Sequence, residues 1–134
     1  MRRRSLATRA SSTATIEYVG SIPNALYPLN GYVGAHTFTS IALDVTSYSK
    51  AYVSVWRGSM TGTSPTFAVS FEESTDQVNW TVCTSGAGGD PGADTEAQYA
   101  PDLKKRYFRI KVVLGGTTPA VSCWAMGSLE RRTA

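Results

Sequence analysis

The sequence predicts an all-β fold: a single antiparallel β-sandwich or jelly-roll-like domain with an extended N-terminal arm. Three observations predict it. From residue 35 onward apolar side chains recur at every second position, the period of a half-buried strand. No window carries the 3.6-residue stripe of an amphipathic helix. At 134 residues with 42% hydrophobic content, the chain has the size and apolar fraction of one domain with one core.

The elements follow in order. Residues 1–14 are small, polar and basic and read as an arm, with the sandwich occupying 15–134. A first short strand is expected at 15–19. Residues 22–34 combine two prolines, two asparagines and two glycines with large apolar side chains, which predicts a long ordered loop. Strands are then expected at 39–45, with Ile41, Leu43 and Val45 inward, and at 51–57, with Val53 and Val55 inward. The next is expected at 66–72, with Phe67, Val69 and Phe71 inward. A returning strand begins at Trp80. Phe108, Ile110 and Val112 mark a strand at 106–112, and Val121, Cys123 and Ala125 mark another at 120–126. Helix has room only as a single turn near 95–99.

An internal echo accompanies this pattern. Gly62-Thr63-Ser64-Pro65 and Gly116-Thr117-Thr118-Pro119 share one motif 54 positions apart, which predicts two equivalent hairpins, one in each sheet. Between Ser74 and Trp80, Asp76 and Asn79 supply the side-chain acceptors of a further turn.

Charge is distributed unevenly. The formal net charge is +3, yet Arg2, Arg3, Arg4 and Arg9 all precede the first acid, Glu17. Setting those four aside leaves nine basic residues against ten acidic, a net of −1. The domain is therefore nearly neutral, unlike folds that present a basic face to nucleic acid, and direct nucleic-acid contact is not expected. The arm has no apolar core and is no secretory signal; its Arg- and Ser-rich composition leaves a transit peptide as the alternative to an arm of the mature protein. No apolar run approaches a membrane span.

Catalytic and metal chemistry finds little support in the residue types. His36 is the single histidine and has no nucleophile motif around it, so no catalytic residue is assigned. Glu72, Glu73 and Asp76 read as solvated hairpin charge. The two cysteines, Cys83 and Cys123, lie in strand-like stretches without zinc-ligand spacing and read as buried free thiols, a disulfide being the alternative. The loop 85–95 with Asp90, Asp94 and Glu96 is the best metal candidate, but its spacing matches no calcium loop, and neither metal nor cofactor is assigned.

Partner-binding residues are better candidates. The arm arginines Arg2, Arg3, Arg4 and Arg9 suit an anionic surface. Leu26, Tyr27, Leu29 and Tyr32 in the 22–34 segment suit apolar anchoring or packing at the core edge. Arg109 and Lys111, outward on one strand, form a secondary basic face that is either a contact or balanced within the molecule. Trp56, Trp80, Trp124 and Tyr107 are aromatic candidates for a glycan platform or for packing on the sheet.

The run Phe71-Glu72-Glu73-Ser74-Thr75-Asp76-Gln77-Val78-Asn79-Trp80, the strand Arg106-Tyr107-Phe108-Arg109-Ile110-Lys111-Val112 and Gly116-Thr117-Thr118-Pro119 before a final strand carry a resemblance. Over residues 40–132 the chain resembles small β-sandwich virion proteins of tailed bacteriophages, above all capsid decoration (cement) proteins. Carbohydrate-binding and discoidin-like sandwiches share the hairpin chemistry. The resemblance implies a non-enzymatic virion protein on the capsid exterior, assembled in the host cytoplasm. Its partner would be the major capsid protein lattice, and it would act as a dimer or trimer. A tail or head-completion protein and a glycan-binding module are the alternatives.

Overall fold

The computed structural model describes residues 16–132, and side chains from Tyr32 to Arg132. The arm 1–14 lies outside these residues. Eight strands make up the described chain: β1 (Ile16–Val33), β2 (Thr37–Thr39), β3 (Leu43–Asp44), β4 (Tyr48–Arg57), β5 (Thr61–Ser74), β6 (Thr81–Gly89), β7 (Thr95–Tyr99) and β8 (Tyr107–Arg131). Every pairing is antiparallel. The path β6-β5-β8-β4-β7 runs through one sheet, with β1, β2 and β3 attached to β8, and the sheet is nearly closed into a barrel.

β8 organises the molecule. Its first half pairs with β5 on one side and with β2 and β3 on the other; its second half pairs with β4 and β1. The two halves face each other, and their inward residues form one core. Phe67, Val69 and Phe71 of β5 join Phe108, Ile110, Val112 and Leu114 of β8, opposite Val53, Val55, Val121, Cys123 and Ala125. The Phe71 ring lies 6.2 Å from Phe108 and 5.4 Å from Tyr99 of β7, so it bridges the halves. Buried β-branched and aromatic side chains at period two hold the sheet together.

The bend between halves falls on the repeated motif. The two copies do not form separate hairpins, as the sequence suggested; they pair with each other. Thr61 stands opposite Ala120, Thr63 opposite Thr117 and Thr66 opposite Gly115, with register shifts between them. Gly62 and Gly116 both have positive φ (113° and 104°), and Ser64 and Thr118 follow at 49° and 46°. A Cβ on Gly62 would stand 2.7 Å from the Thr117 and Thr118 oxygens, and one on Gly116 would stand 2.6 Å from the Ser64 oxygen. Each glycine thus lets the other copy's backbone approach, and the corner has local two-fold symmetry.

Several expectations are corrected. Residues 22–33 are strand rather than loop: β1 runs along the β8 edge with register shifts between Glu17 and Ile22, Ile22 and Leu26, and Leu26 and Asn30. Pro23 and Pro28 fall in the last two shifted intervals. An edge strand with bulges tolerates the missing amide hydrogens of proline. Residues 95–99 are β7, not a helical turn, because they add to the free edge of β4. The strand expected over 39–45 is split. Ser40 donates its amide to the Ile110 oxygen while its hydroxyl accepts from the Ile110 amide, interrupting the ladder. Ile41 is thereby 70% exposed rather than inward.

Candidate functional site

The hairpin carrying the Glu-Ser-x-Asp-x-x-x-Trp pattern is built from internal contacts. Glu72 and Glu73 are each only 5% exposed, which overturns their reading as solvated charge. Glu72 sits on β5 opposite Arg109 of β8, accepting from Arg109 at 2.8 Å and from Lys111 at 3.3 Å. Trp80 lies 4.2 Å beneath the Arg109 guanidinium, a cation–π contact that fixes the fork. Glu73 turns the other way and accepts the amides of Lys104 and Lys105 at 2.8 and 3.2 Å, capping the turn before β8.

Ser74 and Asp76 close the tip. The Ser74 hydroxyl oxygen accepts the amides of Asp76 and Gln77, and Asp76 Oδ1 accepts those of Val78 and Asn79. These amides, Asn79 first and then Val78, with the Ser74 hydroxyl, hold the Asp76 carboxyl well below the usual carboxylate range. The result is a rigid turn presenting Val78 to solvent.

The loop 85–95 is anchored elsewhere. Buried Arg57 donates to both Asp90 oxygens, at 2.7 and 2.9 Å, and to the Gly58 oxygen at 2.9 Å. That bidentate contact, with the Gly92 amide, lowers the Asp90 pKa below its ordinary value. Asp94 instead takes a 3.4 Å bond from Ser59, and Glu96 stands on β7 beside Trp56. Among the described residues no three Asp, Glu, His or Cys side chains gather as a metal ligand set. Cys83 and Cys123 are free and buried, and burial pushes their thiols up to about 12 and about 11; the charge of Glu73 adds to the first. His36 is exposed and packs edge-on against Phe38 at 5.9 Å.

The partner-binding candidates divide into three groups. Arg2, Arg3, Arg4 and Arg9 lie outside the described residues. Leu26, Tyr27 and Leu29 belong to β1, where the backbone bulges between its pairings with Ala125 and Cys123. Tyr32 is half-buried, packs at the rim of the core and lies 4.7 Å from the Phe38 ring. Arg109 and Lys111 share the single Glu72 carboxylate, so this basic face is neutralised only in part within the molecule.

The outer face of β7, β4 and the second half of β8 carries a different arrangement. Trp56 and Trp124 stand opposite each other in register, with ring centres 6.5 Å apart and planes within 14°. Glu96 flanks Trp56 on β7, and Gln98 lies two residues on. Both tryptophans are outward by alternation, but their pairing depends on a register between residues 68 positions apart that the sequence does not display. No protein-family model matches the chain, and no curated protein matches it.

Proposed function

We propose that this chain is a non-enzymatic structural protein of a tailed-bacteriophage virion, binding and stabilising the exterior of an assembled capsid as a decoration protein. The observation that carries this reading is the division of charge. Five of the domain's nine cations are ion-paired with its own acids: Arg57 with Asp90, Arg109 and Lys111 with Glu72, Lys50 with Asp102, and Arg106 with Asp44. Four arginines before residue 10 have no such acids in sequence around them and suit an anionic partner. The resemblance of the hairpin and of the 106–112 strand to decoration proteins supplies the identity of that partner, the major capsid protein lattice.

A ligand that binds only the assembled lattice stabilises it by mass action, and many copies make modest contacts sufficient. On this reading the protein acts on the capsid exterior as a dimer or trimer, joining a shell assembled in the host cytoplasm. The test is sedimentation with capsids of the phage that encodes it. The full chain is expected to pellet with capsids in a salt-sensitive manner, and a chain lacking residues 1–14 is expected to remain in the supernatant. A full chain that ignores capsids overturns the reading, and labelling of tails rather than heads transfers it to a tail protein.

A further inference from the structure

Nearly every acid with a described side chain is engaged. Asp44, Glu72, Asp90 and Asp102 are ion-paired, Glu73 and Asp76 accept backbone amides, Asp94 takes the Ser59 hydroxyl, and Glu130 accepts the Tyr52 hydroxyl. Among the described side chains Glu96 is the exception: its carboxylate takes part in no hydrogen bond or ion pair, and the Gln98 carboxamide in no hydrogen bond. These two unspent polar side chains are exposed on β7, two positions apart and on the same side of the sheet. Glu96 is directly opposite Trp56, whose own opposite neighbour is Trp124. Cross-strand neighbours of this kind hold their Cβ atoms about 5 Å apart.

The tryptophan rings are also oriented. A Cβ built on Gly58 would lie 3.2 Å from the Trp56 Cη2 and 3.8 Å from Asp94 Oδ1. The Trp56 indole therefore extends along its strand over a glycine that the Asp94 carboxylate also approaches. Asp94 is held there by a left-handed backbone, φ 52°. Two near-parallel indoles are thus bordered by two carboxylates and a carboxamide.

We infer that this face is a carbohydrate-binding subsite: Trp56 and Trp124 take the C–H faces of sugar rings, and Glu96, Gln98 and Asp94 accept or donate to their hydroxyls. A pyranose has an apolar face and a hydroxyl rim, and this site offers an aromatic surface with hydrogen-bonding groups at its border. A cation would be met by rings set at an angle around it, whereas these planes lie within 14°. The subsite does not depend on the capsid reading, since it uses neither the arm nor the Glu72 cluster.

The experiment is calorimetric titration of the full chain with maltoheptaose, cellohexaose and chitohexaose, and with choline as a cationic control. At least one oligosaccharide is expected to bind with a dissociation constant near or below about 1 mM. Trp124→Ala is expected to abolish binding, and Glu96→Ala, at an exposed position, to weaken it at least about tenfold while leaving thermal unfolding unchanged. Trp80→Phe, whose ring lies under Arg109 on the other half, should bind as the parent does. Binding of none of the three sugars overturns the inference, as does sugar binding unaltered in both Trp124→Ala and Glu96→Ala, or binding of choline alone. Capsid sedimentation of Glu96→Ala reads the other proposal separately.

Discussion

Arg57 shows how much one side chain can organise. It ends β4, lies buried, sits 5.8 Å from the Phe67 ring and grips Asp90 in the loop between β6 and β7 with a two-pronged contact. Asp90 is itself exposed and would pass as a replaceable loop residue. Its removal, however, leaves a buried guanidinium without its anion, so Asp90→Ala should cost about 2 kcal/mol in urea denaturation. The same contact sets a pH dependence. Because the folded pKa of Asp90 is depressed, its stabilising contribution is fully present above the unfolded value of about 3.9 and is lost as pH falls through the lower folded value. Asp90→Asn should flatten the stability profile in that acid window. Glu72 is the second such residue: Glu72→Gln weakens its hold on Arg109 and Lys111 together and should destabilise by about 1–3 kcal/mol.

At the scale of elements, the paired corner decides how β5 and β8 pass from one half of the sheet to the other. Gly62→Ala and Gly116→Ala each combine a positive φ with a Cβ directed at a carbonyl oxygen less than 3 Å away, so each should destabilise by well over about 1 kcal/mol. Gly89→Ala is the matched control. Gly89 has φ 76° but open space around its Cβ position, so only the conformational cost of about 1 kcal/mol applies. Thermal melts of the three variants check the ordering. The sequence made this motif visible as a repeat, and the alternation in β4, β5 and β8 revealed their inward faces, because both signals are local. It did not reveal that the copies pair with each other, since register between distant segments leaves no local mark. The 22–34 segment misled for a related reason: its prolines and glycines exclude a regular central strand but not a bulged edge strand along β8. The exposure of Ile41 was equally hidden, as it follows from a Ser40 hydroxyl replacing one ladder bond.

At the scale of the whole molecule, the core is shared by both halves, and neither could keep it dry alone. The thiols report on this directly. Cys83 on β6 and Cys123 on β8 are buried with raised pKa values. At pH 8 an aromatic disulfide reagent should therefore titrate neither in the native protein and both after denaturation. Modification of one thiol well before the other would mean that the halves open independently. The candidate site was legible only in its parts. The outward tryptophans follow from alternation, and the cluster of arginines before Glu17 from counting, but the unspent Glu96 emerges only once every other acid with a described side chain has been matched to its partner.

The pairing of Ile16 with Glu130 and of Tyr48 with Arg131 brings residue 16 and the end of β8 to one pole of the molecule. A pull applied between residues 16 and 131 therefore loads the β1–β8 ladder one rung at a time, as a zipper opens, rather than all rungs together in shear. Among the described strands β1 forms its ladder only with β8, with Tyr32 near its end packed at the core rim, so the stretch before Tyr32 should peel first under modest force while the corner and core stay intact. A particle tethered through residues preceding β1 would meet its weakest mechanical link there, whereas one gripped by the sheet face would hold until the core itself gave way.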